Sequence, residues 1–68
     1  MNKYQEILSD ELWYDKLKIM QMLVNEGATL TEILNKRSRS RYHATKRALF
    51  ELEQEGVIKC LHDTYWAA

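Results

Sequence analysis

The stretch TKRALFELEQEGVI, residues 45–58, changes its hydrophobic period at Gly56. Before the glycine, small or apolar residues recur at the spacing of one helix face, and these are Thr45, Ala48, Leu49 and Leu52. After the glycine, residues 57–61 and 64–67 are rich in β-branched and aromatic side chains, which are typical of strands. Because glycine commonly ends helices, the stretch predicts a helix over residues 41–55 followed by two short strands.

His62 and Asp63 separate the two predicted strands and indicate a tight turn. In that register Cys60 pairs with Tyr65, and Ile58 pairs with Ala67. Because side chains alternate between the two faces of a strand, these four residues are predicted to share the face that packs on the core. Cys60 is accordingly expected to be a small core residue.

The chain before residue 41 predicts two more helices. The first can begin at Ser9 or Asp10, either of which can cap it, and it ends before Gly27. Its inward stripe is predicted from apolar residues at helical spacing, which are Trp13, Leu17, Met20 and Val24, widened by Leu12, Ile19 and Leu23. Residues 28–30 are long enough only for a bridging strand.

The second predicted helix is short and covers residues 31–36. Thr29 or Thr31 can cap it, and its apolar residues Ile33 and Leu34 are expected to be buried.

Residues 37–40 contain no apolar side chain and predict the turn between the second and third helices. Ser40, at the end of this turn, can accept a hydrogen bond from the first-turn amides of the third helix.

Positive charge is concentrated in this turn and in the third helix. The chain has ten basic and ten acidic residues and a formal net charge of zero. Six of the basic residues lie between Lys36 and Arg47, whereas no acid occurs between Ile33 and Phe50. A face that only keeps a protein in solution normally mixes both signs, so the pattern favours a binding site for an anion over a solvated helix face.

The order helix, short strand, helix, turn, helix, glycine and hairpin resembles the winged helix-turn-helix family. In that family's signature, leucines four and seven positions before the glycine pack on the first helix, and an apolar pair after the glycine opens the wing. Leu52, Leu49 and the pair Val57-Ile58 match this signature, and TEIL, residues 31–34, matches the second helix. The resemblance implies a mainly α fold with a small β-hairpin, built as a three-helix core plus a short two-stranded wing.

Members of that family generally lay the third helix in the major groove of DNA. By position, the resemblance assigns base-edge or phosphate contacts to Ser40, Arg41, Tyr42, His43, Lys46 and Arg47. The chemistry agrees, because arginine can bridge two acceptors on guanine and cations neutralise phosphates. The cations of the turn are expected to hold the DNA backbone, and these are Lys36, Arg37 and Arg39. Arg41 and Lys46 are both expected to face solvent in the unbound protein.

The predicted wing departs from the family pattern, in which Arg or Lys is common at the tip. Here the tip is His62-Asp63, and Lys59 is the only Lys or Arg of the hairpin. An aspartate beside a phosphate is unfavourable, so the hairpin is expected to close the core or to contact a protein partner.

Other chemistries have little support in the residues. Cys60 and His62 are close in the sequence, but no second cysteine or well-spaced histidine completes a metal site. Tyr42 and Phe50 are expected to pack, with stacking on an unpaired base as the alternative. No nucleophilic triad, phosphate loop or carboxylate pair indicates an enzyme, so we predict no catalytic residue, cofactor or metal.

The sequence therefore predicts a sequence-specific double-stranded DNA-binding protein, either a small transcriptional regulator or a recombination accessory factor, of phage, plasmid or chromosomal origin. The alternatives are a winged-helix protein–protein assembly module whose basic patch binds an acidic partner, and an RNA or single-strand binder. No apolar run can span a membrane and the first residues lack a signal-peptide core, so the expected location is the cytoplasm, at the nucleoid.

Residues 1–68 are expected to form a single domain, in which residues 1–8 are an N-terminal extension or a dimerisation segment. Apolar residues of this segment and of the first helix exceed what one small core can cover. We therefore expect a homodimer, with the alternative that the N-terminal residues fold back and cover that surface within one subunit.

Overall fold

The computed structural model describes residues 11–68. The elements in chain order are α1 (Trp13–Leu23), β1 (Ala28–Thr29), α2 (Leu30–Asn35), a 3₁₀ turn (Arg39–Arg41), α3 (Tyr42–Gln54), β2 (Ile58–Leu61) and β3 (Thr64–Ala67). The fold is mainly helical with a small antiparallel sheet in the strand order β1-β3-β2. The predicted segment 1–8 and the candidate caps Ser9 and Asp10 lie outside the described residues.

The core lies between α1, α2, α3 and one face of the sheet. Its buried apolar residues are Leu12, Ile19, Leu23, Ala28, Ile33, Ala48, Leu49, Leu52 and Ile58. The predicted inward stripe of α3 is confirmed, since Thr45, Ala48, Leu49 and Leu52 are all buried. This burial stabilises the fold and fixes which side of α3 remains exposed.

The predicted inward stripe of α1 is correct for Leu12, Ile19 and Leu23 and wrong for three other residues. Trp13, Leu17 and Val24 are 43%, 45% and 69% exposed. The buried face runs through Leu12, Ile19 and Leu23, and it also contains the charged residue Asp15, which was not predicted. Asp15 interrupts the apolar spacing of the buried face. Apolar residues on the exposed side also recur at helical spacing, so the sequence pattern does not distinguish the two sides.

The start of α2 is fixed by a capping box. The Thr29 hydroxyl accepts a hydrogen bond from the Glu32 backbone N–H at 3.2 Å, and the Glu32 carboxylate accepts one from the Thr29 backbone N–H at 3.0 Å. Of the two predicted caps, Thr29 is therefore the one used, and α2 begins one residue earlier than expected. Ile33 is buried and Leu34 is partly buried.

The predicted cap of α3 is also wrong. Ser38, not Ser40, accepts a backbone hydrogen bond, from the Ser40 N–H at 3.3 Å. This bond starts the 3₁₀ turn, and α3 follows at Tyr42 with no side-chain cap. A 3₁₀ turn therefore precedes α3, which begins one residue later than the expected start at residue 41.

The end of α3 follows the prediction. Gly56 has a φ of 77°, a left-handed conformation that favours glycine. Its N–H donates to the Glu53 carbonyl at 3.1 Å, and the Val57 N–H donates to the Leu52 carbonyl at 3.0 Å. These two bonds form a Schellman motif, which turns the chain from α3 into β2.

The predicted hairpin register is confirmed. Ile58 pairs with Ala67 and Cys60 pairs with Tyr65 across a two-residue turn. Both turn residues have positive φ, 53° for His62 and 62° for Asp63, so the turn is of type I′ although it contains no glycine.

The sheet has one strand more than the expected two-stranded wing, because the bridging strand β1 pairs with β3. The prediction for Cys60 is wrong, since its thiol is exposed. Cys60 shares a face with Tyr65, but the buried end of that face lies at Ile58. The loop before β1 approaches the sheet closely, because a Cβ at Gly27 would lie 2.7 Å from an atom of the Trp66 ring.

Candidate nucleic-acid interface

The exposed side of α3 carries polar and basic residues. His43, Lys46, Arg47 and Phe50 follow one another at spacings of three, one and three and are all exposed. These are the spacings of one helix face, opposite the buried stripe. The face therefore presents an imidazole, two cations and an aromatic ring to solvent.

Tyr42 lies at the start of this face and is exposed. The Lys46 ammonium is 5.4 Å from the centre of the Tyr42 ring, and the His43 ring meets the same ring edge-on at 5.2 Å. The expectation that Tyr42 and Phe50 pack into the protein is wrong for Phe50, which is 62% exposed. The Tyr42 ring contacts His43 and Lys46 of its own helix and borders a groove towards α2.

Most of the predicted contact residues are accessible. Within residues 11–68, Arg39 and Lys46 form no ion pair, and Arg47 has only a long one, 3.8 Å to Glu51. The exposed members of the predicted DNA-contact set are Lys36, Arg39, Ser40, Arg41, Tyr42, His43, Lys46 and Arg47. A groove of about 250 Å³ between α2 and the start of α3 is bordered by Arg39, Ser38 and Tyr42.

Arg37 is the predicted contact residue that the structure does not leave accessible. Its side chain is only 10% exposed and its Nη2 lies 2.5 Å from the Asp15 carboxylate. The Tyr14 ring lies 5.8 Å from its guanidinium carbon. Its Nε is buried and has no hydrogen-bond partner in the described part of the chain. Arg37 therefore stabilises the fold, and its side chain is too buried to contact a ligand directly.

Asp15 is a residue of this region that was not predicted from the sequence. Its side chain is fully buried and accepts hydrogen bonds from Arg37 and Arg41. Arg41 binds both carboxylate oxygens, with Nη2 at 2.6 Å and Nε at 3.3 Å. The hydrogen bonds from Arg41 lower the pKa of Asp15 more than burial raises it, and Arg37 lowers it further. The sequence signal was an acid at the centre of an otherwise apolar helix face.

Arg41 differs from Arg37 in that its side chain is 47% exposed. The hydrogen bond to Asp15 raises the pKa of the Arg41 guanidinium further, although arginine is always charged in proteins. Two of its five N–H groups, on Nε and Nη2, donate to Asp15. The two N–H groups of Nη1 do not take part in this contact. Arg41 therefore joins the buried carboxylate to the exposed surface at the start of α3.

The acidic end of α3 is also covered by α1. The Lys16 ammonium lies 3.0 Å from Glu51 and 2.7 Å from Glu55. This contact partly neutralises the last turn of α3, which would otherwise repel an anionic ligand. Neighbouring residues of α1 thus contact both ends of α3, because Asp15 binds Arg41, the residue before the helix, and Lys16 binds Glu51 and Glu55.

Comparison of the chain with models of known protein families, with curated proteins and with solved structures found no match. Within residues 11–68, no group of three or more His, Cys, Asp or Glu side chains could hold a metal ion. No helix in the same part of the chain is long and apolar enough to cross a membrane.

Proposed function

We propose that this chain is a winged helix-turn-helix domain that binds double-stranded DNA in a sequence-specific way, with α3 in the major groove. The observation that carries the proposal is the exposed face of His43, Lys46 and Arg47 on a helix whose other side is buried. The element order and the sheet order β1-β3-β2 are compatible with this fold.

The dimensions of α3 suit this role. An α-helix with its side chains is about 10–12 Å wide, which matches the width of the major groove of B-DNA. In that position Arg47 can donate two hydrogen bonds to guanine, and His43 can donate to a base acceptor. Lys36, Arg39 and Lys46 supply charge for the phosphates on either side.

A regulatory or recombination accessory role, at the nucleoid in the cytoplasm, is part of the same proposal. A homodimer would present two copies of α3 to a two-fold-related site. Its support within the described residues is the exposed apolar side of α1, which includes Trp13 and Leu17.

The test compares two lysine variants that remove the same charge from different faces. Lys46→Ala, on α3, is expected to weaken binding to a labelled duplex and to reduce the slope of log affinity against log salt by about 0.9. Lys59→Ala, on the exposed side of β2, is the matched control and is expected to leave both quantities unchanged. Equal effects of the two variants would refute the assignment of DNA contact to the exposed face of α3. Such a result would still allow a purely electrostatic attraction between the protein and DNA.

A second candidate function is a protein–protein assembly module. The observation that favours it is the exposure of large apolar side chains on the hairpin, Leu61 and Trp66. Substituting Trp66 by a polar residue would separate the two functions, since DNA binding through α3 does not use this side of the sheet. The exposed ring of Tyr42 favours a third candidate function, the binding of RNA or single-stranded DNA. This function predicts tighter binding to unpaired than to paired strands.

A further inference from the structure

The cluster of Asp15, Arg37 and Arg41 combines three charges in one contact network. Arg37 and Arg41 each donate to the same Asp15 oxygen, at 2.5 and 3.3 Å, and Arg41 also donates to the second oxygen at 2.6 Å. Asp15 is fully buried and Arg37 nearly so, whereas Arg41 is half exposed. The cluster therefore has a net charge of +1, and in the described part of the chain Arg41 is the member that presents this charge at the surface.

Each member of the cluster affects the others through the shared carboxylate. Without Arg37, Asp15 and Arg41 would form a neutral pair, and the exposed guanidinium would attract a phosphate weakly. Without Asp15, the Arg41 guanidinium would lose both of its anchoring hydrogen bonds and its fixed direction. A buried arginine thus influences the charge that the surface presents, although it cannot touch a ligand itself.

We propose that Asp15 and Arg37 are positioning residues for DNA binding, which deliver one net positive charge to a phosphate through the outward edge of Arg41. The proposal rests on the proposed function. Asp15 orients the guanidinium through its Nε and Nη2 atoms and leaves Nη1 for the phosphate. Arg37 offsets the charge of Asp15, so that Arg41 acts on DNA as a full cation.

The test is a set of charge variants whose salt dependence of duplex binding is measured at a temperature where each is folded by circular dichroism. Arg37→Gln makes the cluster neutral, so the slope of log affinity against log salt is expected to become shallower by about 0.9. At about 0.1 M salt this corresponds to a loss of roughly five- to tenfold in affinity. Asp15→Asn raises the cluster charge to +2 and is expected to make the slope steeper.

The double variant Asp15→Asn with Arg37→Gln restores the net charge of +1. Its slope is expected to return to that of the wild type, and adding Arg41→Gln to it should remove about 0.9 again. Arg37→Lys keeps the charge and is expected to keep the slope. If Arg37→Gln does not fold alone, the comparison of the wild type with the double and triple variants tests the same claim.

Two different failures can be told apart. In the first case the wild type binds duplex DNA with a steep salt slope. The role of the cluster is then refuted if Arg37→Gln and Arg37→Lys change this slope equally, or if the double variant does not recover the wild-type slope. If the wild type shows no salt-dependent binding to duplex DNA, the proposed function itself fails. Recovery of the slope together with its loss in the triple variant is the result that a purely structural role for Arg37 does not give.

Discussion

Replacement of Asp15 by alanine should be the most destabilising change of a polar residue in the described part of the chain. Asp15 is fully buried and accepts three hydrogen bonds from two arginines. Its removal leaves Arg37, only 10% exposed, as a buried charge without a counter-charge. Loss of one partner of a buried ion pair costs about 3–5 kcal/mol. A domain of this size has a folding free energy of that same order, so much of the stability should disappear.

The effect of this change should depend on pH in a known direction. Arginine hydrogen bonds hold the pKa of Asp15 below its usual value of 3.8 in the folded state. A group with a depressed pKa stabilises the fold above its unfolded pKa, and loses that contribution as the pH falls through the folded pKa. The difference between wild type and Asp15→Ala should therefore be constant from neutral pH to about pH 5 and should narrow below 3.8.

Urea unfolding followed by circular dichroism, at neutral pH and in a series of acidic buffers, measures both effects. Glu26→Ala is a suitable control, because Glu26 is an exposed acid after α1 and its loss should change the stability by less than about 0.5 kcal/mol. A loss of less than about 1 kcal/mol for Asp15→Ala at neutral pH, or a difference that does not narrow in acid, would refute the reasoning.

Three further changes test the packing and the local structure. Leu49→Ala removes a buried side chain from α3 and should cost about 2–5 kcal/mol by urea unfolding, whereas a cost under 1 kcal/mol would contradict its place in the core. Thr29→Ala breaks the capping box of α2 and should cost about 1 kcal/mol, while Thr31→Ala, one residue inside the helix, should not show this loss. Gly27→Ala puts a methyl group 2.7 Å from the Trp66 ring, so it should lower the melting temperature and change the tryptophan fluorescence. An unchanged spectrum would contradict that close approach.

The sequence was most informative where one physical requirement decided the local structure. The inward stripe of α3 has an uninterrupted helical spacing, and Gly56 supplies the conformation that ends the helix. The hairpin register followed from the position of His62-Asp63, because a two-residue turn fixes the pairing on both sides. These features could be predicted because each depends on residues that are close in the sequence.

The sequence was less informative where distant residues decide the outcome. Asp15 is buried only because Arg37 and Arg41 reach it from 22 and 26 residues away, and no local period contains this information. Its place among the buried residues of α1 was therefore missed, and the apolar residues Trp13 and Leu17 were wrongly assigned to the core. The same contact explains why Arg37, which the charge pattern assigned to DNA, lies inside the protein. The exposure of Cys60 depends on where the core ends along β2, which strand alternation alone does not give.

The salt dependence of wild-type binding to a labelled random duplex tests the central claim most directly. Fluorescence anisotropy between about 50 and 200 mM salt gives the slope of log affinity against log salt. The accessible cations Lys36, Arg39, Lys46 and Arg47, together with the net charge delivered through Arg41, predict a slope of about −3 to −5 for each bound protomer. A slope near zero, or no binding at the lowest salt, would contradict DNA binding through the basic face of α3.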